Sequence, residues 1–248
     1  MNNKIYLLVL VIFIFGCATA PEIIIKPSKP GDSVALIYLS DSTPRHEHVG
    51  TTVFTNFTKK DVSKKSYEEP ISNGIEELIK SKSNFSVVRI KLEEIGIKEN
   101  EKLYSAWTGK MLPKYKTSIE RLSREKNFGY VVVINQSLHE AWANSSAHVE
   151  GFGLYSRCLL GFCTYEVLDQ LSMSIYSVAD HSVKRGFPYR AWNRPSLNDI
   201  TKPAGVKNVE ESYINLAADR AVDKFYRLSE EYMTDIGLLQ NTNDQTEK

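Results

Sequence analysis

Apolar and polar positions divide this chain into segments with different periods. The first is an unbroken apolar run at residues 5–15, preceded by Lys4 and stopped by Gly16-Cys17. Its eleven residues are too few to cross a hydrocarbon core, which takes roughly 20 in a helix. A positive start, a short apolar core and a small residue before the cut mark a secretory signal peptide. The next apolar block, residues 34–39, has no polar interruption and predicts a strand covered on both faces in mid-sheet. Residues 42–65 are polar and rich in Thr and Lys, with an edge strand expected at 51–58. Pro70 then opens a helical period in which Ile71, Ile75, Leu78 and Ile79 share a face, with Glu76, Glu77 and Lys80 turned outward.

Past that helix, Val88, Ile90 and Leu92 alternate with Arg89 and Lys91, as in a strand with one wetter face. Residues 113–126 predict a second helix on Tyr115, Ile119 and Leu122, ended by Phe128-Gly129, and 130–134 predict another buried strand. From 136 to 180 the period is that of β structure, with Leu171, Met173 and Ile175 opposing Ser172, Ser174 and Tyr176. Residues 186–205 hold Pro188, Pro195 and Pro203 and predict no regular element. A last helix runs from 209 to about 234 on a stripe of Ile214, Ala218, Ala221, Val222, Phe225 and Leu228.

Strands alternating with helices, followed by a β-rich stretch, predict an α/β (α+β) fold. The expectation is a single three-layer-like domain, a mixed sheet with helices packed on it and a β-hairpin extension. The boundaries are residues 1–16 for the signal peptide, 17–31 for a tether, 32–237 for the domain and 238–248 for a flexible tail. With Pro21, Pro27 and Pro30, residues 18–31 read as an extended spacer of about 40 Å at ~3.1 Å per residue.

Ile14-Phe15-Gly16-Cys17 resembles the lipobox of bacterial lipoproteins, with Phe15 bulkier than the usual small residue. The resemblance implies cleavage before Cys17, a diacylglycerol on its thiol and an acyl chain on its amine. Two or three chains at about 0.8 kcal/mol per methylene hold a protein on a membrane without spanning it. Ala18 after the cysteine is, in enterobacterial lipoproteins, the pattern sent to the outer membrane. Charge agrees with a tethered domain: removing Lys4 leaves 31 − 1 = 30 basic against 30 acidic residues. That balance argues against nucleic acid as a partner.

Candidate chemistry is sparse. Cys158 and Cys163, with four residues between them in a β context of an exported chain, predict a disulfide across a hairpin. Leu159, Leu160 and Phe162 make the pinned tip apolar, so it either folds under the domain or serves as a knob for a partner or a membrane. Tyr189, Arg190, Trp192 and Arg194 put interface-type residues in an irregular stretch. His46-x-His48 places two imidazoles on one face if the segment is a strand, a weak metal candidate in a polar surrounding. No Gly-x-Ser-x-Gly, P-loop or His-Glu-x-x-His is present, no catalytic set is assigned and no cofactor is expected beyond the acyl chains.

The strands at 34–39 and 130–134, the Gly151-Phe152-Gly153 hairpin entry, the strand 171–178 leading into Asp180 and the closing helix resemble the fold shared by the TolB N-terminal domain and the periplasmic domain of the curli secretion lipoprotein. That likeness implies a non-enzymatic envelope protein working through protein contacts, with an oligomer admitted. The expected function is an accessory or assembly factor of an outer-membrane or cell-wall complex. The alternatives are an envelope hydrolase drawing on His139, His148 or His181 with a carboxylate, and a secretion pore built from residues 147–180.

Overall fold

The computed structural model describes residues 25, 32–50, 57–59, 63–98, 101–104, 110–140, 148–159, 162–186, 197, 203, 205–206 and 209–240. In chain order the elements are β1 (Ser33–Tyr38), β2 (Arg45–Val49), β3 (Phe57–Lys59), α1 (Glu68–Lys82), β4 (Ser86–Arg89) and α2 (Leu92–Ile95). Then come α3 (Pro113–Lys126), β5 (Phe128–Gln136), β6 (Leu138–Glu140), β7 (His148–Glu150), β8 (Phe152–Leu159), β9 (Phe162–Asp169), β10 (Leu171–Ser177), β11 (Ser182–Arg185) and α4 (Glu211–Asp235).

β1 is central for the reason its composition implies: all six residues are buried, so both faces are covered. It pairs in parallel with β4 on one side and β5 on the other, and β10 and β11 complete the sheet antiparallel, in the order β11-β10-β5-β1-β4. Val34, Leu36, Val132, Ile134, Met173 and Ile175 face one core with residues of α1 and α4. Ala35, Ile37, Val131, Val133 and Tyr176 face the other, with residues of α2 and α3. The first sheet is thus sandwiched between helix layers, and the chain is an α+β domain.

The expected single sheet is two. β8 and β9 do not extend the first sheet; they join β2 and β3 in a second, ordered β3-β2-β8-β9, with β6 and β7 as a separate ribbon. The free edge of β5 is taken by β10, so β8 pairs with β2 instead, parallel and in register from Arg45↔Gly153 to Val49↔Arg157. Alternation identifies a strand and its faces but not the edge it will find.

One helix ties the sheets together. The Tyr213 ring of α4 meets Tyr165 of β9 at 6.1 Å, Lys224 pairs with Asp169 at the end of β9, and the Tyr232 hydroxyl donates to the Lys184 carbonyl of β11 at 2.8 Å. Alanines 217, 218 and 221, all buried, let the helix approach closely between these points. α1 lies alongside: a Cβ at Gly74 would run into the Tyr226 ring, whose hydroxyl donates to the Pro70 carbonyl at 2.7 Å.

Several boundaries differ from expectation. α1 begins at Glu68, ahead of Pro70, and Leu92 opens α2 instead of closing a strand. α3 ends on Asn127 in the left-handed region (φ 53°), not on Gly129, because Phe128 already pairs with Ser33. β10 is buried on both faces, Ser174 and Tyr176 included, since the second core lies behind it. The tail also starts later than 238. Leu238 and Leu239 are buried, the Leu238 N–H donates to Met233 O and the Gln240 N–H to Lys82 O. Ile25 corrects the free spacer: it is 3% exposed, and its N–H donates to the Ile236 carbonyl at 3.1 Å. The other residues of 18–31 lie outside those described.

Ile25→Ala should therefore lower the unfolding free energy by about 2–4 kcal/mol, the usual cost of truncating a buried isoleucine. Urea unfolding measures it; a residue of an unattached spacer would change stability by no more than about 0.5 kcal/mol.

Candidate functional site

β8 and β9 form a two-stranded arm whose faces do different work. The register runs from Phe152↔Asp169 to Leu159↔Phe162, so Phe152, Leu154, Ser156 and Cys158 share the inner face with Tyr165, Val167 and Cys163. Phe152, Leu154, Tyr165 and Val167 enter the core under α4. Cys158 and Cys163 face each other with Cα atoms 4.1 Å apart and are joined by a disulfide. The outer face at the same end carries Arg157, Thr164 and Phe162. Phe162 is 83% exposed, far above Leu216 at 36%, the other large exposed hydrophobic among the described residues. The apolar tip therefore does not fold under its own domain at Phe162.

β2 enters this sheet as Arg45-His46-Glu47-His48-Val49, and all five are buried. The expectation of a solvated polar stretch fails here, because the second sheet and its cover close over both faces. His46 and His48 do fall on one face, and both reach the same serine: His46 Nε2 lies 2.7 Å and His48 Nδ1 2.9 Å from Ser156 Oγ. Ser156 and His46 are wholly buried. A hydroxyl has one proton and two lone pairs, so Ser156 donates to at most one of the two rings and accepts an N–H from at least one of them. Burial holds the His48 imidazole below its usual value of 6.5. Among the described residues no group of three or more His, Cys, Asp or Glu could hold a metal ion. The His pair acts as a hydrogen-bonded rung between β2 and β8. Sequence reasoning missed Ser156; the available signal was its place two residues after Leu154 on an apolar face, a polar residue needing a buried partner.

On the opposite face of β2, the buried Arg45 guanidinium meets three carboxylates. It pairs with Asp41, with Glu47 at 3.4 Å and with Glu150 at 3.3 Å. Burial raises the Glu47 carboxyl above its ordinary range, and the Arg45 charge opposes that rise. Val49, Val149, Tyr155 and Leu168 make a small apolar cluster on this side. Gly153 allows the approach: at φ +126° it sits where a Cβ would strike the Arg45 backbone carbonyl and amide. Gly151-Phe152-Gly153 does lead into the β8–β9 hairpin, but Gly153 is already inside β8 and serves the close approach of β2.

The remaining candidates are not brought to this arm. His181, with φ 52°, lies on the surface beside β11, its Nδ1 3.1 Å from the Tyr176 hydroxyl and 3.8 Å from Glu120. His148 is exposed on β7. Cys17, Leu160, Tyr189, Arg190, Trp192 and Arg194, and the side chains of Leu159 and His139, lie outside what is described. Of the irregular stretch that holds Arg190 and Trp192, Leu197 is buried, and its N–H donates to the Tyr165 carbonyl at 3.1 Å. No described helix is long and apolar enough to cross a membrane. Compared with protein-family models, curated proteins and solved structures, the chain matches none of them.

Two outcomes follow from the buried polar groups. A histidine with a lowered folded pKa contributes stability that is whole above the unfolded value near 6.5 and is lost as pH falls through the folded one. Urea unfolding should then show the protein losing more stability between pH 7.5 and 5.5 than His48→Gln does; equal losses would mean that His48 takes up its proton without penalty. Arg45→Ala should cost about 3–5 kcal/mol, since it strands carboxylates whose cation is gone, and differential scanning calorimetry would read it as a lowered Tm.

Proposed function

We propose that the protein is a bacterial envelope lipoprotein, anchored through acyl chains on Cys17, whose domain works by binding another envelope protein. Its role is that of an accessory or assembly factor of an outer-membrane or cell-wall complex. The observation that carries the binding part is Phe162, a large aromatic 83% exposed at the end of a hairpin that a disulfide holds shut. Leaving such a side chain in water forgoes about 1.5–3 kcal/mol of burial, which a partner can recover. The pinned backbone adds to this, because little conformational freedom remains to be lost on docking.

Support for the anchor comes from the sequence: the short apolar run, Lys4 before it and Gly16-Cys17 after it. The disulfide fits an oxidising compartment, where such bridges persist. The near balance of 30 basic and 30 acidic residues in the processed chain fits a surface that neither collects nucleic acid nor depends on bulk charge for its partner.

The anchor is tested by Cys17→Ser. Fractionated cells should show the native protein in membranes and the variant soluble or retained as uncleaved precursor, with mass spectrometry finding acyl chains on Cys17 of the native form alone. Native protein carrying an unmodified Met1 end would overturn the anchor.

A further inference from the structure

Ile25 and the exposed aromatic sit at opposite ends of α4. At its C-terminal end the turn after the helix holds Ile25 through the Ile236 carbonyl. At its N-terminal end Tyr213 packs on Tyr165 of β9. The helix therefore measures the distance between them: the 23 residues from Tyr213 to Ile236 span about 35 Å at 1.5 Å per residue. From Tyr165 the strand continues three residues outward to Phe162, adding about 10 Å. β9 and β10 follow the same path, with Asp169 beside Lys224 and the β11 carbonyl of Lys184 beside Tyr232. Phe162 is thus at most about 45 Å from Ile25. Because Ile25 is fastened, only seven residues lie between it and Cys17, and the eight steps between their Cα atoms reach at most about 28 Å fully extended.

The chemistry at the tip is that of an interface anchor. Arg157 and Phe162 point to the same outer face of the arm, and the disulfide occupies the other face, so bracing the hairpin uses none of the exposed surface. Arg157 is exposed and pairs with no carboxylate among the described residues. An aromatic ring beside an arginine is the combination that dominates binding energy at protein interfaces.

We propose that Phe162 and Arg157 form a docking surface for a protein partner that offers an apolar pocket with an acidic rim. With the anchor at the Ile25 end, the arm holds this surface at the end of the domain remote from the bilayer. This rests on the reading of Cys17 as lipidated and decides what the knob contacts: a protein, not the lipid beneath it. The acidic rim is what the unpaired guanidinium selects, since charge complementarity governs which encounters are productive.

The test is photo-crosslinking of the full-length protein in intact cells of its native host, with p-benzoylphenylalanine at position 162 and, separately, at Asn84. Asn84 is exposed next to the end of α1, whose Lys82 carbonyl accepts from Gln240 at the anchor end. The expected result is a single protein adduct of fixed mass from position 162, reduced about tenfold by Arg157→Glu, and phospholipid adducts from position 84. Phospholipid adducts from position 162, a protein adduct from 162 that Arg157→Glu leaves unchanged, or no protein adduct from 162 would each overturn the proposal. Mass spectrometry of the N-terminal peptide from the same cells separates the two readings. Acylated Cys17 with lipid at 162 sinks the orientation alone, whereas unmodified Cys17 sinks the anchor and the orientation with it.

Discussion

The architecture depends on one helix covering two sheets at once. α4 runs for 25 residues, about 37 Å, and its apolar stripe reaches from the second sheet near Tyr165 to the first near Lys184. The first sheet shares that face with α1, whose Ile71, Ile75 and Ile79 enter the same core, while α4 also covers strands of the second. Alanines at 217, 218 and 221 bring the helix down onto the strands, and Phe225 and Met233 fill the wider gap farther along. α1 packs beside it through Gly74 and ties to it at Tyr67, whose hydroxyl donates to Asp219 at 2.7 Å and is pushed up to about 12 by burial.

The second sheet carries buried charge and imidazole where the first carries valine and isoleucine. Such groups are costly unless every one is matched, and here the matching runs between segments far apart in sequence. Arg45 finds Glu150, and His46 and His48 find Ser156, which lies 110 and 108 residues from them. These pairings contribute less to stability than an apolar core would, but they specify geometry. A one-residue slip of β2 against β8 would turn the imidazoles to the arginine side and strand both sets.

Much of this was legible in the chain. The α3 bounds, the doubly buried β1 and the α4 stripe follow from apolar periodicity, because each buries a local pattern against whatever lies opposite. The same logic misjudged Arg45-His46-Glu47-His48, since a strand buried through long-range hydrogen bonds looks like a solvated loop when its partners cannot be seen. It also misjudged Ile25, Leu238 and Leu239, short apolar pieces beyond any periodic segment. Their burial depends on a groove that exists only after α1 and α4 have packed. Of the candidate site, the hairpin, its cysteine pair and the shared face of His46 and His48 could be read from spacing. Ser156, the carboxylates around Arg45 and the placement of the tip relative to Ile25 required the fold.

The parallel pairing of β2 with β8 also bears on how the chain assembles. Antiparallel neighbours joined by a short turn can zip up as they emerge, whereas β2 must wait for a partner more than a hundred residues downstream. Until β8 arrives, Arg45 and the two histidines stay hydrated and the face meant for α4 stays open. Closure of the second sheet therefore waits on long-range pairing and carries a loop-entropy cost, and until then the chain is a half-built, aggregation-prone species. Folding of this protein accordingly places a kinetic demand on its surroundings.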